Sequence, residues 1–330
     1  MAQTVTSPVG RPESIGFLTF PKEAQAKLST ALQSVCSPYL SWEQHCIAAQ
    51  TAILSHFPPS VISAIRDFHE RSSAPGALVI TGLPQDCTLP PTPSKGERST
   101  DKHTFVSEAC LAGVGHILGS LFGYATEKQG EIIHNVCPVP QGETTQSNES
   151  SRVELSLHVE NAYFNLRPDY LLLYCLRQDH KKEASTSVVD IRCIVSEMDP
   201  DDVVQLQEPV FIVPSPVSHH CAMNGEKWST ARPLFETPEN PNFVCSFPGM
   251  KALTPLGQKA LDNFEVVARR VDVLQHVRLE PGTLLLINNR KIAHGRTCFE
   301  PKYDGQDRWL QRVYVRAAEP NMTAKETGLH

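Results

Sequence analysis

The chain has 330 residues and a formal net charge of −6, with 40% hydrophobic and 20% charged residues. This composition is typical of a globular protein, and the length allows one large domain or two at most. Proteins that bind nucleic acid or anionic membranes usually carry clusters of Lys and Arg. No such cluster is visible, so neither partner is expected.

Three further features bear on where the protein is found. The longest apolar run, residues 170–176, is far shorter than the roughly 20 residues that span a bilayer, and residues 1–12 lack the apolar core of a secretory signal. The ten cysteines are scattered from Cys36 to Cys298 without a CxxC pair, which favours buried, reduced side chains over a zinc site or a disulfide scaffold. We therefore expect a cytoplasmic protein, and the sequence leaves its oligomeric state open.

The N-terminal third predicts a flexible leader followed by helices. The leader is expected to cover residues 1–16. Apolar residues recur at helical spacing through residues 22–70, which predicts two or three helices interrupted at Ser37-Pro38 and Pro58-Pro59. The glycine-bounded run GALVITG, residues 76–82, predicts a buried strand, and the Pro- and Ser-rich segment 89–103 predicts an exposed loop.

The remainder predicts two helices and many short strands. The helices are expected over residues 106–122 and 255–273. Strands are predicted at residues 153–157, 170–176, 187–190, 210–213, 243–247, 284–288 and 310–316. Because strands and helices do not alternate, we expect a mainly β fold with flanking helices, a sandwich or jelly roll. The single domain would cover residues 17–330, with a helical buttress at about 22–70, a jelly-roll core at about 76–318 and a lid-like insert at about 214–242.

A candidate metal site lies in the run LHVENA, where His158 and Glu160 are two residues apart. In an extended strand, residues i and i+2 point to the same side, so this imidazole and carboxylate can face one point. With a second histidine they would form the facial triad of non-haem iron(II) sites, which leaves coordination positions open. The alternative is a hydrogen-bonded strand histidine without a metal, since HxE arises easily in a chain with 13 histidines.

The third ligand is predicted to be His294. An apolar strand at residues 284–288 leads into the core, and Asn288-Asn289 turn the chain. His294 would then enter the site from a neighbouring strand and complete the ligand set.

Two arginines follow this third candidate ligand. Arg308 lies fourteen positions after His294, and Arg312 follows four positions later. A guanidinium pairs with a carboxylate through two parallel hydrogen bonds, which suits Arg308 as the anchor for the distal carboxylate of 2-oxoglutarate. On a strand both arginines share one face and can point into one cavity. The alternative is that they are surface partners of Asp304, Asp307 or Glu300.

These residues together resemble a known family. The run LHVENAYFNLRPDYLLLYCLRQD, residues 157–179, resembles the iron-ligand segment of clavaminate synthase and its relatives in the taurine dioxygenase-like superfamily. The run HGRTCFEPKYDGQDRWLQR, residues 294–312, is similar to the second signature of that family, and the resemblance extends loosely over residues 76–316. It implies a double-stranded β-helix, a distorted jelly roll, and an iron(II), 2-oxoglutarate-dependent oxygenase.

The resemblance also implies a role for each residue of the metal site. His158, Glu160 and His294 would bind iron(II), with 2-oxoglutarate and dioxygen as co-substrates. Glu160 fills the position that halogenating relatives leave to a small residue, so hydroxylation is expected.

Three more residues receive roles from the same resemblance. Arg308 would bind the distal carboxylate of 2-oxoglutarate, assisted by the hydroxyl of Thr186. Arg312 would hold the carboxylate of a free amino acid, whose ammonium group would lie near Glu160 or a neighbouring acceptor.

The amino acid itself stays open at this point. Relatives that act on guanidinium substrates place acidic residues where this chain reads VCSFPGM, residues 244–250, which disfavours arginine. A neutral or modestly polar amino acid, hydroxylated at its β- or γ-carbon, is expected, and lysine remains open. The alternatives are desaturation or epoxidation, a carrier-bound amino acid, and a non-enzymatic jelly-roll binding protein. His219-His220, in the lid-like insert, is expected to face solvent rather than to bind a second metal.

Overall fold

The computed structural model describes residues 12–215 and 227–317. These residues form two large β sheets and two groups of helices, which confirms the expected combination of sheets with flanking helices. No helix within the described ranges has both the length and the apolar character required to span a bilayer.

The helices and strands follow one another along the chain, with long connections at residues 82–105 and 213–250. The helices are α1 (Lys22–Gln33), α2 (Trp42–His56), α3 (Pro59–Glu70), α4 (Val106–Leu118), α5 (Ile191–Val195), α6 (Pro200–Leu206) and α7 (Pro255–Ala268). The strands are β1 (Ile15–Thr19), β2 (Ala77–Thr81), β3 (Ser120–Phe122), β4 (His134–Val136), β5 (Leu155–His158), β6 (Tyr170–Arg177), β7 (Thr186–Asp190), β8 (Phe211–Ile212), β9 (Lys251–Ala252), β10 (Gln275–Val277), β11 (Leu284–Asn288), β12 (Ile292–Arg296) and β13 (Trp309–Arg316).

Two sheets position the site. The larger one has the order β1-β2-β11-β6-β13-β3, and β4 also pairs with β13. The smaller one has the order β10-β7-β12-β5. Apolar side chains of both sheets, among them Leu173, Val188 and Ile287, meet in one buried cluster that fills the space between the sheets. Burial of each such side chain contributes roughly 1.5–3 kcal/mol.

The central strands of the larger sheet are buried on both faces, because helices cover the face turned away from the smaller sheet. Leu172 of β6 and Leu286 of β11 pack there against Leu28 and Ile53 of the N-terminal helices. This explains why β6 and β11 read as continuous apolar runs rather than as alternating patterns. Ser41 begins α2 by accepting a hydrogen bond from the N–H of Gln44.

The predicted leader ends earlier than expected. Ile15 and Gly16 already belong to β1, where they pair in parallel with Ala77 and Leu78 of β2. The prediction was wrong there because the edge of β2 offers hydrogen bonds that a sequence pattern does not reveal. Residues 1–11 lie outside the described part.

The helix predicted over residues 106–122 ends at Leu118, and β3 follows it. Gly119 has a φ of 152°, and a Cβ atom at this position would collide with the carbonyl oxygen of Arg316. Only glycine fits this turn, so the chain leaves the helix and pairs with β13.

Residues 243–247 were predicted as a strand, but they form no regular ladder. Their N–H groups donate to three different segments, through the carbonyls of Arg290, Leu234 and Leu157. The segment is apolar because it is buried between these neighbours.

The predicted lid-like insert is in part a packed segment. Leu234 and Phe235 are fully buried, and Trp228 pairs with Pro214 across an isolated bridge. His219-His220 and the rest of residues 216–226 lie outside the described residues. The predicted exposed loop at residues 89–103 also departs from expectation at Lys102, which is only 4% exposed.

Candidate metal centre and substrate cavity

Two strands of the smaller sheet bring the predicted histidines together. His158 ends β5 and lies directly opposite His294 of β12 in the antiparallel register. The centroids of the two imidazole rings are 4.4 Å apart. The turn after β11 therefore returns the chain as the sequence predicted, with His294 entering from the neighbouring strand.

Glu160 turns its carboxylate toward both rings. Its Oε2 atom lies 3.6 Å from Nε2 of His294 and 4.0 Å from Nε2 of His158. One ligand atom from each of the three residues falls within 4.8 Å of the other two. Glu160 is 8% exposed, so the three side chains form a largely buried ligand set with one open side.

The imidazole of His158 is oriented by the backbone. Its Nδ1 lies 2.8 Å from the carbonyl oxygen of Ser156, which makes Nδ1 the hydrogen-bond donor. Nε2 then keeps its lone pair for ligation of a metal. Burial and the neighbouring His294 lower the pKa of His158 to about 4. The ring is therefore neutral at pH 7, which metal ligation requires.

The second carboxylate oxygen of Glu160 is held from the larger sheet. Arg312 donates to Oε1 over 3.2 Å and the hydroxyl of Tyr314 donates over 3.0 Å. Burial raises the pKa of Glu160, but Arg312 and the two histidines outweigh it and hold that pKa well below its usual range. The carboxylate is thus ionised and presents only Oε2 to the metal position.

Arg312 also binds a second carboxylate. Its Nη2 donates to Glu127 over 2.6 Å and to Nδ1 of His134 over 2.8 Å. Burial raises the pKa of Glu127, but Arg312 and His134 outweigh it and lower that pKa to about 2. Tyr314 reaches the other oxygen of Glu127 over 3.1 Å. The sequence analysis missed Glu127, His134 and Tyr314.

Arg308 lies just before β13 with 6% of its surface exposed. Its guanidinium makes no hydrogen bond or ion pair with any described residue; its nearest ring is Phe299, whose centroid is 5.9 Å away. Burial lowers the pKa of Arg308. A buried cation without a hydrogen-bonded carboxylate costs free energy, and Asp179 acts on Arg308 only at longer range, so this position can accommodate an added anion.

One cavity connects these residues. It has a volume of about 430 Å³, part of it open to solvent, and is lined by Arg308, Thr186, His294, Glu160 and Arg312. The structure thus brings together the predicted anchor, the predicted hydroxyl and two of the three candidate ligands.

A second, wider cavity of about 1840 Å³ adjoins the first, and Glu160 and Arg312 line both. His158 lines the wider cavity, as do residues 126–128 and 146–149 and the segment around Pro214. The candidate metal position therefore lies where the two cavities meet.

One other cluster among the described residues has the composition of a metal site. His180 lies 3.0 Å from Asp304 and 3.7 Å from Asp307. The side chain of Asp304 is 45% exposed, and Asp307 accepts a hydrogen bond from the N–H of Lys302. These carboxylates therefore stabilise the loop before β13. Six of the nine described cysteines are buried and all nine are free, as predicted; Cys36, Cys87 and Cys298 are exposed.

Comparisons with known proteins agree with this geometry. Residues 106–314 match the family "Taurine catabolism dioxygenase TauD, TfdA family". Clavaminate synthase 2 of Streptomyces clavuligerus is 32% identical over 270 residues, which cover 80% of this chain and 81% of the relative. L-asparagine oxygenase of Streptomyces coelicolor is 32% identical over 260 residues, covering 78% and 76%.

The fold is similar to a solved structure as well. Asparagine oxygenase in complex with Fe(II), 2S,3S-3-hydroxyasparagine and succinate superposes with a TM-score of 0.80 at 28% identity, covering 91% of this chain and 93% of that one. The predicted resemblance, the enzyme class and the cofactor set of iron(II) and 2-oxoglutarate are confirmed. The chain therefore belongs to the taurine catabolism dioxygenase TauD, TfdA family.

Proposed function

We propose that the protein hydroxylates a free amino acid, using iron(II), 2-oxoglutarate and dioxygen, and releases succinate and carbon dioxide. One observation carries this proposal: two imidazoles and one carboxylate converge, and the cavity they share also holds a buried guanidinium that makes no ion pair with any described residue. The donor set suits ferrous iron, and the guanidinium suits the distal carboxylate of a dicarboxylic keto acid.

His158, Glu160 and His294 would hold the metal through Nε2, Oε2 and Nε2. When bound, iron(II) supplies the activation of dioxygen that is coupled to oxidative decarboxylation of 2-oxoglutarate. The protein supplies geometry. Arg312 and Tyr314 hold Oε1 of Glu160, so that only one carboxylate oxygen faces the metal and coordination positions stay open.

Arg308 and Thr186 would bind 2-oxoglutarate in the smaller cavity. Charge supports this placement, because Arg296 lines the same cavity and, among the described residues, its guanidinium donates only to neutral oxygens, such as those of Ser150 and Val153. Two cations without carboxylate partners would attract a dianion into this space.

Arg312 and Glu127 would recognise the amino-acid backbone. They form a largely buried ion pair of 2.6 Å, in which Arg312 lines both cavities and Glu127 lines the wider one. A zwitterion can insert there without leaving either charge unpaired, because its carboxylate replaces Glu127 at Arg312 and its ammonium replaces Arg312 at Glu127. A simple acid would separate Glu127 from its cation without supplying another, and a simple amine would leave Arg312 with Glu160 as its only carboxylate partner among the described residues. Both losses cost free energy.

The wider cavity favours a neutral polar side chain. Each of its described carboxylates already has a cationic or metal-site partner, since Glu149 pairs with Lys128 over 2.9 Å and Glu127 pairs with Arg312. Asparagine is the first candidate, in keeping with the hydroxyasparagine bound in the similar asparagine oxygenase structure. Lysine would need to displace Lys128 from Glu149.

The predicted double-stranded β-helix is part of the proposal. The two sheets share one buried cluster, and the metal ligands His158 and His294 lie on the smaller sheet while Arg312 lies on the larger. This arrangement supports a distorted jelly roll with the site between its sheets.

The test is succinate formation from iron(II), 2-oxoglutarate and oxygen across a panel of free amino acids, with product masses. Hydroxylation adds one oxygen, whereas desaturation removes two hydrogens. The panel should include des-amino and des-carboxy analogues, which we expect to be inactive. His294→Ala should abolish turnover, and His276→Ala, an exposed histidine of the same sheet, should not. A non-enzymatic binding protein would form no succinate with any substrate.

A further inference from the structure

Glu160 lies where regular strand pairing stops. β5 ends at His158, and Asn161 has a φ of 54°, a left-handed conformation. The peptide groups on either side of Glu160 therefore cannot be held by a β ladder, yet the residue is buried. Buried N–H and C=O groups need partners, and the position of the carboxylate depends on them.

Asn289 supplies these partners. Its Oδ1 accepts the N–H of Glu160 over 2.7 Å, and its Nδ2 donates to the carbonyl of Glu160 over 3.0 Å. The same Nδ2 donates to the carbonyl of Pro168 over 2.9 Å. Asn289 has no exposed surface. One side chain thus replaces the two hydrogen bonds that a neighbouring strand would make.

Asn289 belongs to the turn between β11 and β12. Its own N–H donates to the carbonyl of Asp169 over 2.8 Å. Both its backbone and its side chain are therefore hydrogen-bonded to the loop that follows Glu160. His294 lies five residues further along, on β12. The turn therefore fixes Glu160 relative to the strand that carries His294.

The amide group is required for this contact. Asparagine offers one acceptor and two donor hydrogens within a short side chain, and all three are used here. Aspartate would face two carbonyl oxygens with a carboxylate, and alanine would leave three buried backbone groups unpaired.

We propose that Asn289 is a positioning residue for the metal centre, which sets Glu160 against His158 and His294 by clamping its backbone. This inference rests on the proposed role of Glu160 as an iron ligand. Asn289 touches neither substrate nor metal and acts only through Glu160.

The experiment compares Asn289→Ala and Asn289→Asp with Asn288→Ala. Asn288 is a matched control, because it lies in the same turn and its Oδ1 only accepts the local N–H of Arg290. Anaerobic titration with Fe(II) alone measures metal affinity, and urea unfolding of the apo-protein measures stability. We expect both Asn289 variants to bind Fe(II) about 10- to 100-fold more weakly than the parent, as when a residue that orients a ligand is removed. Asn288→Ala should stay within about twofold, whatever stability it loses.

Three other results would overturn the positioning role or the proposed function. If a folded Asn289 variant binds Fe(II) as tightly as the parent, the positioning role is overturned. The same holds if both Asn289 variants fail to fold while Asn288→Ala folds, since the role is then purely structural. If the parent itself binds no Fe(II), the proposed function fails, which this comparison separates from the first two results.

Discussion

The hydroxyl of Tyr314 lies 3.0 Å from Oε1 of Glu160 and 3.1 Å from Oε2 of Glu127. A phenol carries one proton, so it can donate to only one of these carboxylates at a time. Tyr314 therefore joins the proposed metal ligand to the proposed acceptor of the substrate ammonium group. An ammonium group bound at Glu127 would remove the competition for the phenol proton and leave it with Glu160.

Tyr314→Phe should weaken both the binding of Fe(II) at Glu160 and the binding of the amino acid at Glu127. A hydrogen bond to a charged group contributes about 1.5–3 kcal/mol, so Fe(II) affinity should fall about tenfold and the KM for the amino acid should rise. Fe(II) titration and succinate assays measure the two effects. The control is Tyr170→Phe on the adjacent strand, whose hydroxyl bonds His69 instead. Equal losses in the two variants would contradict this role.

Arg308→Lys should affect 2-oxoglutarate selectively. Lysine keeps the charge but cannot form the bidentate pair, and the loss of one charge-assisted bond corresponds to an increase of about 10- to 100-fold in the KM for 2-oxoglutarate. The KM for the amino acid should change little, because Arg312 is intact. Arg278→Lys, at an exposed arginine after β10, serves as the control. A matching rise in both KM values would argue against a dedicated anchor.

Gly295→Ala should separate the two metal-binding strands. A Cβ atom at Gly295 would press against the carbonyl oxygen of Leu155 in β5, and backbone cannot move aside as a side chain can. His158 and His294 would move apart, so we expect at least about a tenfold loss of Fe(II) affinity and a destabilisation of about 1–3 kcal/mol.

The comparison for this prediction is Gly16→Ala on edge strand β1. There the new Cβ would meet the side chains of Leu78 and Pro75, at 3.2 Å and 3.4 Å. This variant can lose stability but should bind Fe(II) normally. If Gly295→Ala also binds Fe(II) normally, the register between β5 and β12 does not set the metal geometry.

The convergence of the three candidate metal ligands could be predicted from the sequence because its geometry is local. His158 and Glu160 obey the period of a strand, and His294 follows an apolar strand and a turn. Tyr314 could have been found in the same way, since it lies two residues after Arg312 on β13. Glu127 could not. It precedes Lys128 and Gln129, both at positive φ, in an irregular segment, and it meets Arg312 across 185 residues of chain.

The strands also differ in whether local sequence could predict them. β6 and β11 were predicted because long apolar runs bounded by turns leave few alternatives. β3, β4 and β10 have three residues each, which is too short for any periodicity to show. They are strands only because β13 and β7 offer them hydrogen bonds, and that information lies elsewhere in the chain.

Lys102→Met should be strongly destabilising. Lys102 lies 2.9 Å from Asp86 and 2.6 Å from Glu108, and all three side chains are at most 2% exposed. The substitution removes the cation that pairs with two buried carboxylates, which typically lowers the free energy of unfolding by about 3–5 kcal/mol. Lys181→Met breaks the exposed pair with Glu300, where both side chains are more than half exposed, and should cost at most about 1 kcal/mol. Urea unfolding measures both, and similar losses would refute the distinction.

Lys291 should give the protein a stability that rises with pH in mildly alkaline solution. Its Nζ is buried and donates to the carbonyl of Ser72 over 2.8 Å. Burial and the nearby Arg192 lower the pKa of Lys291 from 10.5 to about 8. Between these two values the unfolded chain holds the proton and the folded chain has released it. The free energy of unfolding therefore increases as the pH rises from about 8 to 10.5.

Other groups titrate in the same range, so the prediction concerns a difference between proteins. Urea midpoints are compared at pH 7.5 and pH 10 for the parent, for Lys291→Met and for Lys27→Met, an exposed lysine of α1. Between pH 7.5 and pH 10, the urea midpoints of the parent and of Lys27→Met should include the same stabilising change from Lys291. The midpoint of Lys291→Met should change without that stabilising part. An identical change in all three proteins would show that Lys291 stays charged in the folded state up to its ordinary pKa. In that case its ammonium group is better solvated than its burial beneath Ser72 and Arg71 suggests.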